Sequence, residues 1–445
     1  MEFEESTSFN KKTYEPIGGW DMRTAHQETP GNFKENQLIL MHKETEVATT
    51  ISGNISDDWE IIRPDLLPSS FTRLVSVKQA ETDALKKLGY DKDPLSFKTR
   101  EDMDKWISAR DAARDAAREI NQNIILSWLA YRVLPFDRVN AKKLHQLLNI
   151  PQDNTRSVKA AIALKLQAMS ISDNYWMKTT KQNLKWNDID IKQHPLSEGL
   201  AVVALSGKTL TLTAEELTDP LYASAELTTL GSYAKGIFRE SDGLYMYKTG
   251  DMHTVAAEVV SARILEASNV YGYVDYIYEE KFKLPASKCK LMTTANRDVL
   301  HANFMVGNAV SYAQSKFSEQ FSQMCVVDYL IGNIDRHGIN WGFFREAPTW
   351  HITGLHWLYD HNNAFDIDEL NERSRAKSVL GQDPRTTRTD IGLEEAARYL
   401  YKRSNFKFIK PIQKKHFKMF GKLTDKVLSM FQRRCDNLKI PVIIR

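Results

Sequence analysis

The stretch that most constrains this chain is VVDYLIGNIDRHGINWGFF, residues 326–344. It is apolar at both ends, yet its centre packs Asn333, Asp335, Arg336, His337 and Asn340 into eight residues. Burying a polar group without a partner costs roughly 1–3 kcal/mol. Whatever fold the chain adopts must let these groups satisfy one another or line a site.

At 445 residues the chain exceeds one ordinary domain, and roughly two to four are expected. Residues 1–90 form a β-containing region, in which QLILMHKETEVATTISG (37–53) reads as strand, turn and strand. Residues 91–200 form a helical middle region, with REDMDKWISARDAARDAAREINQNIILSWLAYRVL as a helix ended by Pro135. NAKKLHQLLNI and TRSVKAAIALKLQAM follow as two short amphipathic helices, and SDNYWMKTTKQNLKWNDIDI (172–191) has no clear period.

Residues 201–298 are β-rich. AVVALSG and KTLTLT read as strands, and GIFRESDGLYMYK (236–248) as a hairpin turning at Asp242-Gly243. DMHTVAAEVVSARILEASNV (251–270) is a helix with Asp251 as its N-cap. YGYVDYIYEE and KCKLMTT read as further strands, and residues 299–445 return to helix.

At 42% hydrophobic and 26% charged, with no run of about 18 apolar residues, the chain is neither disordered nor expected to span a membrane. The acidic, polar opening MEFEESTSFNKKTYEP is not expected to be a secretory signal. Cys289, Cys325 and Cys435 are far apart in sequence, which fits a reducing cytoplasm. The net charge of +3 argues against a dedicated nucleic-acid binder.

Asp335 and Asn340 carry the spacing Asp, four residues, Asn. In a protein-kinase catalytic loop that Asp handles the proton of the attacking hydroxyl and the Asn holds magnesium. Asp360, in HWLYDHNNAFD, stands where a second metal-binding acid follows. Upstream, LTTLGSYAKGIF (227–238) places Gly231 and Ser232 in a small-residue loop whose N–H groups can hold phosphate oxygens. Lys248 ends the next strand and Glu258 lies on the following helix, the places of a kinase's phosphate-pairing lysine and its partner acid. Singly, each has a plainer explanation: a hairpin glycine, a solvated lysine, an exposed acid, a satisfied histidine, an Asx turn. The order of the set is the argument.

IGNIDRHGINWGFF with YDHNNAF resembles the HipA family of bacterial serine/threonine kinases, over roughly residues 220–440. The resemblance implies an α+β, two-lobed protein-kinase-like fold: a β-rich small lobe (201–298), an α-helical large lobe (299–445) and a preceding β/helical region. It implies ATP and Mg2+ as cofactors. Asp335 would be the catalytic base, Asn340 and Asp360 the metal ligands. Gly231, Ser232, Lys248, Glu258 and His337 are the candidates for the nucleotide side. In the family the phosphate loop can carry an autophosphorylated serine, and here Thr228 stands nearest that place, with Thr229 and Ser232 close by. The implied partners are a protein substrate and a regulatory or antitoxin-like protein.

Two other functions compete. The Asp-Arg-x-x-x-Asn pattern is shared with phosphatidylinositol kinases, so a lipid or small-molecule kinase is an alternative, and the basic stretch YKRSNFKFIKPIQKKHFKMFGK (401–422) would suit a membrane-facing surface. Its plainer explanation is a solvated face with Phe and Met packed inward. Residues 140–167 could instead be a DNA-reading helix-turn-helix. A pseudokinase is disfavoured, since Lys248, Asp335, Asn340 and Asp360 are all present.

Overall fold

The computed structural model describes residues 37–89, 99–194, 196–208, 225–365, 377–383 and 389–445. Within them the chain is a mixed α/β structure with three sheets. The first contains β1 (Leu38–His42), β2 (Thr45–Thr50), β3 (Trp59–Ile61) and β4 (Tyr175–Thr179) in the order β3-β2-β1-β4. The hairpin expected at 37–53 is present as β1 and β2. The aperiodic stretch at 172–191 supplies β4, which pairs antiparallel along the whole of β1. Sequence alternation was masked there because Tyr175, Trp176 and Met177 are all buried.

One apolar core joins this sheet to the helices after it. Leu38 and Val47 share it with Ile125 of helix Arg100–Ala130, Val158 of helix Arg156–Lys165, Leu200 of helix Glu198–Ser206, and Leu227. The long helix begins at Thr99, whose side chain accepts the Asp102 N–H. Helices Ala141–Leu147 and Arg156–Lys165 form as expected. Five of the ten residues of the second are buried, among them Val158, Ala160 and Ile162, which leaves little face for reading DNA.

AVVALSG is helical, not a strand. Helix Glu198–Ser206 starts at Ser197, whose hydroxyl accepts the Leu200 N–H, and ends at Gly207 with φ 67°. A short, wholly apolar run cannot distinguish a buried strand from a buried helix, and here the caps decide. Most of KTLTLT lies outside the described residues.

The second sheet runs β5 (Ala234–Glu240), β6 (Gly243–Thr249), β8 (Leu284–Lys290), β7 (Ile277–Lys281). The β5–β6 turn is Ser241–Asp242, since Glu240 pairs with Gly243. Helix Met252–Glu266 packs beside this sheet, and its Asp251 cap accepts the Thr254 N–H as expected. It is apolar all round because it is buried on two sides. Val255 and Val259 meet Tyr276 and Cys289 of the sheet side. Ala256, Val260 and Ile264 enter the largest core, with Phe321, Leu330, Leu400 and Phe431 of the C-terminal helices.

The third sheet, β11 (His351–Leu355), β10 (Gly342–Glu346), β9 (Arg297–His301), flanks that core. Asp298 of β9 binds His42 at 2.9 Å and Asn174 at 2.6 Å, which fastens the first sheet to the third. In the basic C-terminal stretch Phe406, Phe417 and Phe420 are buried while Lys402, Lys407, Lys410 and Lys414 are exposed, the arrangement of an inward apolar face. No described helix is long and apolar enough to cross a membrane.

Candidate functional site

Pairing in the second sheet sets Lys235 of β5 opposite Lys248 of β6, and Lys248 opposite Ser287 of β8. Lys248 is buried, and its Nζ lies 2.6 Å from Glu258 Oε1, 2.7 Å from Asp360 Oδ1 and 3.2 Å from the Tyr276 hydroxyl. Ser287 donates to the other oxygen of Glu258. Burial alone would lower the Lys248 pKa, but Asp360 and Glu258 outweigh it and raise the pKa well above the usual value. Burial would likewise raise that of Asp360, yet Lys248 and Lys235 hold it far below the ordinary carboxylate range. Asp360 itself sits at φ 60°, a left-handed conformation that few non-glycine residues adopt.

The stretch 326–344 resolves into two kinds of polar residue. Helix Ser318–Ile331 stops at Gly332, φ 68°, whose N–H reaches back to Asp328 and Tyr329 carbonyls. Asn333 and Arg336 then turn inward onto Asp328: the Asn333 amide donates at 3.1 Å and the guanidinium at 2.8 Å. Arg336 also donates to the Asn340 carbonyl at 2.7 Å and the Tyr359 carbonyl at 2.9 Å. These bonds join the 335–340 loop to the segment bearing Asp360, and the Tyr359 hydroxyl adds one to the Ile339 carbonyl at 2.5 Å.

Asp335 and Asn340 face each other across the loop, with the Asn340 amide donating to the Asp335 carbonyl at 3.0 Å. Asn363 donates to Asp335 Oδ2 at 2.9 Å, and its own carbonyl accepts the Tyr233 hydroxyl at 3.2 Å. The glycine loop is thereby chained to Asp335. His337 is the outlier: its side chain is 52% exposed and its Nε2 stands 3.8 Å from Asp335 Oδ1, beyond a hydrogen bond.

Gly231 turns at φ +95°, and a Cβ there would sit 2.4 Å from Lys235 Nζ. Lys235 is buried, donates to the Leu230 carbonyl at 2.7 Å, and has its pKa lowered to about 7 by burial and by Lys248. Arg138, from the middle region, donates to the Gly231 carbonyl at 2.6 Å and the Thr229 carbonyl at 2.7 Å, and also to the Thr229 hydroxyl. Thr228 and Thr229 are buried, with their hydroxyls donating to the carbonyls of Ala225 and Glu226. Ser232 is the exposed hydroxyl of the three.

The structure therefore brings Lys248, Glu258 and Asp360 into direct contact, and Asp335 and Asn340 into a second contacting pair. Lys235, Asn363, Tyr233 and Arg138 were not anticipated. Strand alternation on β5 carried a signal for Lys235; Arg138, some ninety residues upstream of the loop that it holds, had none.

No protein-family model and no curated protein matches the chain. Among solved structures it is similar to the crystal structure of a Helicobacter pylori proinflammatory kinase, CtkA. The identity is 18%, the match covers 46% of this chain and 90% of that one, and the TM-score is 0.34. A likeness at that score carries no argument about this chain.

Proposed function

We propose that the protein is an ATP- and Mg2+-dependent kinase that transfers the γ-phosphoryl group to a serine or threonine hydroxyl of a protein, on a two-lobed scaffold of the HipA type. One observation carries this reading. Lys248 is held between Glu258 and Asp360, while Arg336 stitches the loop of Asp335 and Asn340 to the backbone beside Asp360.

The donor set fits the metal. Magnesium takes hard oxygen ligands, commonly one or two carboxylates completed by substrate phosphates. The Asn340 amide nitrogen is committed to Asp335, which leaves its Oδ1 as an oxygen donor, and Asp360 supplies a carboxylate. Among the described residues no cluster of three or more His, Cys, Asp or Glu side chains could hold a metal alone, consistent with an ion that arrives with its nucleotide. When bound, Mg-ATP supplies the activated phosphoryl group.

The chain's own residues position and neutralise. Lys248 provides a fixed ammonium for phosphate oxygens, and Glu258 fixes its direction. The loop around Gly231 brings backbone N–H groups close, since a side chain at 231 would collide with Lys235. Asp335, with Oδ2 held by Asn363, orients the acceptor hydroxyl and takes its proton. The Asp335 side chain is 40% exposed, an accessibility that suits a protein acceptor better than an enclosed small molecule. Self-phosphorylation, if it occurs without rearrangement of the loop, falls on Ser232.

The test is incubation with γ-labelled ATP, magnesium and a cell extract, followed by identification of the labelled species. Labelled serine or threonine in protein, lost with Asp335→Asn, is expected. Label in lipid or small metabolites would move the reading to the alternative acceptors. The absence of both labelling and ATP binding would overturn it.

A further inference from the structure

A separate cavity lies where the first sheet and the long helix meet β9 and β10. With its mouth it encloses about 620 Å³ of empty space, inside the roughly 300–1,000 Å³ range of ligand pockets, which favour such junctions. The rings of Trp128, Tyr131 and Phe304 form part of its wall, and Leu230 of the glycine loop borders it. Aromatic walls favour a ring, through stacked or edge-on contacts.

The charged groups on the wall answer one another. Arg132 binds Asp173 at 2.6 and 2.9 Å, and Asp298 is bound by His42 and Asn174. Arg345 donates to the Tyr175 hydroxyl and, at 2.8 Å, to the Trp350 carbonyl. Two arginines face two aspartates, so a charged ligand would find no unanswered countercharge.

Two polar atoms on residues of the wall do lack partners: Ser70 Oγ and His301 Nδ1. Such orphans are rare in buried sites and call for a ligand or water. His301 is only 6% exposed, and burial lowers its pKa to about 4, so its ring is neutral at pH 7. The Ile339 carbonyl beside the ring takes its N–H, which leaves Nδ1 as a bare acceptor. Ser70 Oγ can donate or accept.

We propose that this cavity binds a small, neutral, hydroxylated aromatic compound, whose hydroxyl hydrogen goes to His301 Nδ1 and whose polar oxygen accepts from Ser70 Oγ. The site does not depend on the kinase reading. Phenol is the probe, and toluene, of similar size without the hydroxyl, is the control. Calorimetric titration of the full chain is expected to show phenol binding at least tenfold more tightly than toluene. Ser70→Ala removes a hydroxyl that has no partner in the free chain, so the fold is not at risk. It should weaken phenol about tenfold, roughly one lost hydrogen bond, and leave toluene unchanged. His301→Leu should do the same. Equal affinity for phenol and toluene, an unchanged phenol affinity in Ser70→Ala, or no binding of either probe would each overturn the proposal, the last showing a merely hydrated joint.

Discussion

Two buried charge clusters sit side by side in this molecule and are built on opposite terms. Around Arg336 the account is closed: Asp328, the Asn340 and Tyr359 carbonyls and His361 Nδ1 provide an acceptor for every guanidinium N–H. Around Lys248 it is open, because one ammonium is shared by two carboxylates, Glu258 and Asp360, and the trio keeps an excess negative charge. A closed cluster holds a shape. An open one is suited to exchange, since Asp360 can turn to a cation while Lys248 keeps Glu258.

The same chemical change in each cluster gives the sharpest test. Asp328→Asn removes the only carboxylate on Arg336 and leaves a buried, uncompensated cation. The expected loss is about 3–5 kcal/mol of unfolding free energy, read by denaturant titration. Asp360→Asn leaves Lys248 with Glu258 and the Tyr276 hydroxyl, and should cost less than half as much. It should instead abolish the magnesium-dependent part of the ATP-induced rise in Tm. Equal destabilisation by both substitutions, with the magnesium effect intact in Asp360→Asn, would erase the distinction.

Next in size is Asp335→Asn. Its partners are the Asn363 amide and backbone groups, and none is a buried charge. Stability and ATP affinity should stay near wild type, while phosphoryl transfer falls by on the order of 10²-fold or more, the usual scale for a lost general base. Unchanged transfer would return Asp335 to the role of a turn residue.

This contrast marks what could be read from the chain beforehand. Helix Met252–Glu266, the β5–β6 hairpin and the contact of Lys248 with Glu258 followed from local caps, turn residues and the order of motifs. Within 326–344, sequence could show that polar groups were buried, but could not sort Asn333 and Arg336, which face Asp328, from Asp335 and Asn340, which face the site. That sorting depends on Gly332 ending the helix and on Tyr359 arriving from another strand connection. The helix at Glu198–Ser206 was misread because its apolar run has neither period. Arg138 was invisible because its acceptors, the carbonyls of Thr229 and Gly231, are backbone atoms that leave no trace in residue identity.

The smallest expected effect concerns Lys235, the cation between the two lysine-bearing strands and the glycine loop. Its pKa is about 7 in the folded chain against 10.5 for an ordinary lysine, with burial as the main cause and Lys248 the second. Between those values the unfolded chain holds a proton that the folded chain has released, so this residue's contribution to stability improves as pH rises through that window. Below pH 7 both states are protonated and the cost of the buried charge is fully present. Lys235→Met should therefore raise Tm more at pH 7 than at pH 10. Bound phosphates would favour the charged ammonium, so wild type should take up about half a proton per ATP near pH 7. Calorimetry in buffers of different ionisation enthalpy reads that fraction, and Lys235→Met should remove it. A proton uptake that survives the substitution, or an equal Tm shift at both pH values, would place Lys235 outside the nucleotide's reach and leave Lys248 as the ammonium that meets phosphate.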